Sequence, residues 1–252
     1  MIKQLQHVLE NPRSLSARHE LANYWIDIGD ERGQFIYNLL REHERDLSVS
    51  LGELDREYFD LLKRHETDWK ADALELVSSC DFRLGLVGSV SVSGEALAAR
   101  GNQLLDIAPV IAFFIKPPFE LQRVLGAGVL KNAVSLSFGE TRDFEDGVAI
   151  AIAESTSLSE LRILTLPEIG TVTSRGLQAL ATSKYLPNLI SIEVTGNPCA
   201  QSGGVMRNDD RDYFICAAGE SFLATAQRDM LLGSDPMVLH WPPLFDQYAW
   251  LP

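Results

Sequence analysis

Apolar residues recur at helical intervals through the first third of the chain. Leu21, Tyr24, Trp25 and Ile28 form one such set, Phe35, Ile36, Leu39 and Leu40 a second, and Tyr58, Leu61, Leu62 and His65 a third. The run Gly29-Asp30-Glu31-Arg32-Gly33 separates the first two sets, and Ser14 stands where a helix start wants a side-chain acceptor. This pattern predicts three or four short helices. From Phe82 onward the period shortens to two within brief segments: Val90-Ser91-Val92, Phe113-Phe114-Ile115, Leu136-Ser137-Phe138, Leu164-Thr165-Leu166 and Ile192-Glu193-Val194. Their first residues lie 23, 23, 28 and 28 positions apart, which is the mark of a repeated unit.

Each segment reads apolar, variable, apolar. On a strand the two flanking residues point to one face and the middle residue to the other. A single unit therefore owns half a core, and stacking at least three buries a continuous apolar spine. The stretches 94–107, 119–130, 144–155 and 173–183 are predicted as helices on the outer side. The last two units carry the full spacing, as Leu158, Leu161, Leu164, Leu166 and as Leu186, Leu189, Ile192, Val194 followed by Asn197. This LxxLxxLxL pattern resembles the leucine-rich repeat, in which such an asparagine uses its amide to satisfy backbone groups of a turn. Gly176-Leu177-Gln178-Ala179-Leu180-Ala181 is similar to the helix of the long, ribonuclease-inhibitor-like repeats. Pro118, Thr141 and Ile169 take the asparagine position in units two to four, so those turns need other partners.

The stretch Leu21-Ala22-Asn23-Tyr24-Trp25-Ile26-Asp27-Ile28-Gly29-Asp30-Glu31-Arg32-Gly33-Gln34-Phe35-Ile36 resembles the ADWLxERGDPRGEFI signature of bacterial repeat-companion domains, which precede leucine-rich repeats. The likeness continues in His65-Glu66-xx-Trp69 and in Phe82-Arg83-Leu84-Gly85-Leu86-Val87, and covers about residues 15–200. Asn23 and Glu31 depart from it, where Asp and Pro are usual. The resemblance implies a fold, and brings no catalytic residues with it. In physical terms Trp25, Phe35 and Ile36 anchor two helices, Gly29 and Gly33 bracket the connection, and Asp30 caps the second helix.

The expected architecture is α/β: a short right-handed leucine-rich-repeat solenoid with a parallel inner sheet and outer helices. Residues 1–81 form a helical N-terminal cap, 82–199 about five repeat units, and 200–252 a C-terminal cap. Within the last part, 201–212 reads as a loop, 213–232 as a helix and 241–245 as an aromatic and proline-rich tail.

Composition narrows the function. A net charge of −13 over 252 residues opposes binding to nucleic-acid phosphates and suits a basic partner. Charged residues break up the N-terminal stretch, and no apolar run approaches the ~18 residues that cross a bilayer, so the expected location is cytoplasmic. Cys80, Cys199 and Cys216 are odd in number and widely spaced, which offers no metal-binding pair. Three of the five histidines begin a His-Glu pair, and none continues to HExxH; nucleotide-loop and nucleophile-elbow motifs are missing too. Gly126-Ala127-Gly128 falls within a predicted outer helix and lacks a dinucleotide fingerprint. The expectation is a protein that is not an enzyme, uses no cofactor or metal, and is monomeric alone.

Candidate binding residues fall in two places. The middle residues of the five segments, Ser91, Phe114, Ser137, Thr165 and Glu193, would line the inner face, beside Ser89, Ser93, Lys116, Ser135, Ile163, Pro167, Ser191 and Thr195. That surface reads as small, hydroxylic and weakly charged, with Phe114 as an anchor. Asp209, Asp210, Asp212, Trp241 and Phe245 mark the acidic, aromatic C-terminal region. The leading reading is a protein-interaction module. One alternative is an immunity or antitoxin-like protein that neutralises a basic toxin such as a nuclease. Another is an effector or ligase adaptor, although no LPxxL-type F-box opening precedes the repeats.

Overall fold

The computed structural model describes residues 2–44, 54–194 and 197–198, together with the strand backbones 204–208 and 211–216. The chain is mixed α/β and divides into two compact units. One comprises Met1–Val90 and Arg100–Ile111, the other Ser91–Ala99 and Ala112–Pro252.

The first unit holds α1 (Lys3–Glu10), α2 (Leu15–Asp27), α3 (Glu31–Glu44) and α4 (Leu54–Leu74), then β1 (Ser79–Arg83) and the start of β2 (Leu86–Ser93). Ser14 begins α2 as expected, its hydroxyl accepting from the Ala17 N–H at 3.2 Å. Gly29, at φ 76°, turns the chain out of α2 through a left-handed conformation that only glycine adopts without cost. Asp30 then accepts from the Arg32 N–H at 3.0 Å and binds the Arg32 guanidinium, which lies 4.4 Å from the Trp25 ring centre. Gly33 does not belong to the connection. It sits inside α3, where a Cβ would come within 2.6 Å of the Ala22 carbonyl oxygen and the Ile26 nitrogen, so its task is to let α3 press against α2. With 21 residues, α4 is also longer than the short helices expected.

Phe35 is fully buried at the centre of this unit. Its ring lies 5.2 Å from Tyr58, 5.1 Å from Trp69 and 5.3 Å from Phe82. The Phe82–Val87 stretch, expected simply to open the first repeat, forms a hairpin: β1 and β2 are neighbours joined by Leu84 (φ 45°) and Gly85 (φ 82°). Arg18, wholly buried on α2, donates to the carbonyls of Arg83, Leu84 and Pro12 and so fixes this turn. Burial pushes the Arg18 guanidinium down to about 10.

In the second unit strands and helices alternate: β3 (Ala112–Lys116), α6 (Leu121–Gly126), β4 (Ser135–Phe138), α7 (Asp146–Ala153), β5 (Ile163–Thr165), α8 (Ser174–Ala181) and β6 (Ser191–Glu193). Helix α5 (Gly94–Leu105) precedes them, with 94–99 in this unit and 100–105 in the first. Strands β3 to β6 pair in parallel, each with the next, as helix-connected strands must. Phe113, Ile115, Leu136, Phe138, Leu164, Leu166, Ile192 and Val194, the flanking residues of the sequence pattern, are all buried. Helix α6 is shorter than the predicted 119–130. It ends at Gly126, with Ala127 at its C-cap and Gly128 at φ 67°, which no helix can include.

After β6 the structure corrects the sequence reading. Residues read as a loop and as the start of a helix form β7 (Gly204–Asn208) and β8 (Arg211–Cys216). Strand β8 joins β6 in parallel and β7 pairs antiparallel to β8. Asn208 is opposite Arg211, so two residues connect the strands. The segment Tyr213-Phe214-Ile215 is rich in aromatic and β-branched residues, which prefer a strand to the helix expected there.

Candidate interaction face

Parallel pairing places the middle residues of successive segments side by side. Phe114 is opposite Ser137, Ser137 opposite Thr165, and Thr165 opposite Glu193. Four of the five expected inner-face residues thus form one row across β3, β4, β5 and β6, on the side of the sheet away from the buried leucine spine. Ser91, the fifth, lies half-buried in β2. A second row, Ala112, Ser135, Ile163 and Ser191, runs parallel to the first.

The face is less open than its sequence suggested. Phe114, Thr165 and Glu193 are half-buried, whereas Ser137 is 6% exposed and Ser135 3%. Ser137 lies between the larger Phe114 and Thr165, and the hydroxyl-rich strand β4 is buried at all four positions.

Glu193 is the chemically distinctive member. The Thr165 hydroxyl donates to Glu193 Oε2 at 3.3 Å, and Glu193 has no cation paired with it among the described residues. Burial pushes its carboxyl above the ordinary carboxylate range, the Thr165 hydrogen bond opposes that, and the charge of nearby Glu168 adds to it. Glu168, half-buried just beyond β5, belongs to the site but escapes the alternating pattern because it follows the strand.

Bonds between consecutive units keep the row in register. The Asn197 amide donates to the Pro167 carbonyl at 2.7 Å and accepts from the Val172 N–H at 3.2 Å, buried beneath the turn that follows β5. Asp146, in the first turn of α7, accepts from the Thr173 N–H and hydroxyl and from the Gly176 N–H at the start of α8. Asn188 donates to the Ser159 carbonyl and Ser183 to that of Ala153. Each of these partners lies 25 to 30 residues away along the chain, close to the 28-residue spacing of the last units.

Comparison with family models, with curated proteins and with solved structures returns no match. The site therefore has to be read from its own chemistry.

The remaining expected residues are less informative. Asp212 falls in β8, as the opposite number of Arg207, and Asp209, Asp210, Trp241 and Phe245 lie outside the described residues. Elsewhere, Cys80 is buried, which pushes its thiol up to about 11, too high for a reactive thiolate. His65 stacks on Trp69 and meets Glu31 at 2.6 Å. Among the described residues no group of three or more His, Cys, Asp or Glu is placed to hold a metal, and no helix is long and apolar enough to cross a membrane.

Proposed function

We propose that this chain is a leucine-rich-repeat protein, with its strands and helices stacked as a short solenoid, and that it acts by binding a protein partner rather than by catalysis. The observation that carries the reading is the register-matched row of Phe114, Ser137, Thr165 and Glu193. It spans about 14 Å of sheet at a strand spacing near 4.8 Å, and it combines an aromatic ring, small hydroxyls and a carboxylate. Parallel sheets ordinarily have both faces covered, so a half-buried face of this composition suits a further protein layer. The 25-to-30-residue reach of the bonds between units supports the repeat reading.

The test is affinity capture from source-cell extract with the full chain and with Thr165→Arg, a substitution at the centre of the row. Capture of a protein by the wild type and its loss, by tenfold or more, from a Thr165→Arg chain of unchanged melting temperature is the expected result. Identical captured sets from both chains would refute the role of this face. The net charge of −13 favours a second, narrower reading, neutralisation of a basic toxin. Its association rate would fall steeply with salt. Full protection of cells by a chain with Asp209, Asp210 and Asp212 all replaced by Lys would remove the acidic C-terminal region from that mechanism.

A further inference from the structure

We propose that Glu193 receives an arginine side chain of the protein partner, with Thr165 holding the carboxylate in place. The inference rests on the partner-binding reading of the same face and specifies the chemistry of what docks there.

A half-buried carboxylate normally finds a cation or several N–H donors, because removing its charge from water is otherwise costly. Glu193 has neither among the described residues: its hydrogen bond there comes from the Thr165 hydroxyl alone. Asp146, in the same unit, shows the usual solution, taking three donors at the start of α8. Glu168 makes the deficit at Glu193 greater, since its negative charge lies near enough to disfavour the charged form of the same carboxyl.

Charge complementarity therefore selects a cation, and the surroundings select arginine over lysine. One oxygen of Glu193 is engaged by Thr165, and the planar guanidinium fork can pair with a carboxylate through two parallel N–H donors while also offering a donor toward Glu168. Arginine is also less strongly hydrated than an ammonium group, which lowers the cost of bringing it onto a half-buried sheet face. On the strand side the floor is low, for Thr165 and Ser137 are the next two residues of the row, so an extended stem meets small side chains before it reaches Phe114. The overall charge of −13 attracts the same class of partner from a distance.

The probe is an end-capped pentapeptide with one central arginine flanked by leucines, titrated into the full chain and followed by amide chemical shifts. The same peptide with citrulline, which keeps the shape and removes the charge, is the companion probe. Shifts centred on Thr165, Glu168 and Glu193, with affinity about tenfold weaker for the citrulline peptide and for Glu193→Gln, are the expected result. Glu154→Gln, an equal loss of charge on the residue that closes α7, should leave the affinity within twofold. Absence of shifts on this face, equal affinity for both peptides, or equal weakening by Glu154→Gln would each overturn the proposal. Capture of a partner that is lost from Thr165→Arg but retained in full by Glu193→Gln would overturn the arginine site while leaving the binding face standing.

Discussion

The two units are held together in different ways. In the first, one centre dominates: Phe35 touches Tyr58, Trp69 and Phe82 at 5.1 to 5.3 Å, so residues from α3, α4 and β1 converge on a single ring. In the second, side-chain bonds spanning 25 to 30 residues of chain link one strand-helix unit to the next. A centred core fails as a whole when its hub is lost. A row of nearest-neighbour links fails locally.

Removing the hub should have the largest effect. Phe35→Ala deletes a fully buried ring and its three aromatic partners, and should cost about 3–5 kcal/mol. Hydrogen exchange would show protection falling together across α2, α3 and α4. Loss confined to α3 alone would show that Phe35 is not a shared hub. Gly33→Ala should follow at about 2–4 kcal/mol, because a methyl group 2.6 Å from two backbone atoms of α2 forces the helices apart. Urea unfolding measures it, and a neutral result would mean that α2 and α3 cross less closely than described.

Asn197→Ala tests the other kind of architecture. It leaves the Pro167 carbonyl and the Val172 N–H without their amide partner beneath a buried turn, at a cost of about 1–3 kcal/mol. The damage should appear in exchange at residues 167–172 and spare the helices of the first unit. A uniform loss across the chain would show that the links are not local.

The spacing of the strands was the legible part of this molecule. Alternation at Phe113-Phe114-Ile115 and its counterparts gave the positions of β3 to β6, because burial of one strand face imposes a period of two that no helix shares. It also fixed the row of Phe114, Ser137, Thr165 and Glu193, since equal positions in successive parallel units pair directly. What escaped depends on three-dimensional proximity. Gly33 reads as a turn glycine until the neighbouring helix is present. Arg18 reads as a surface charge until the Leu84-Gly85 turn, 66 residues later for Leu84, supplies carbonyls for it. Ser137 reads as exposed because its own side chain is polar, and it is the neighbouring strands that bury it. β7 and β8 were missed because Asn, Asp and Gly suggested a loop, although Gly204 and Asn208 lie within β7 and Asp212 within β8.

The smallest expected effects set two acidic residues of the second unit against each other. Burial alone would raise the Asp146 carboxyl, but the hydrogen bonds from Thr173 and Gly176 and the charge of Arg175 outweigh it and hold the group below the ordinary carboxylate range. A depressed folded value means that ionised Asp146 stabilises the fold above the unfolded value, near 3.9, and that this contribution fades as pH falls through the folded one. Glu193 has the opposite sign. Burial raises its carboxyl, so its charged form opposes folding at neutral pH, and the penalty is relieved as pH falls through the raised value. At pH 7 Asp146→Asn should therefore lower the urea midpoint and Glu193→Gln should raise it. The Glu193→Gln difference should shrink as pH falls through the raised value, and the Asp146→Asn difference only as pH falls from the unfolded value, near 3.9, toward the lower folded one. A Glu193→Gln chain that is less stable than the wild type at pH 7 would mean that its charge is needed within the fold, and would leave no uncompensated carboxylate to await a partner.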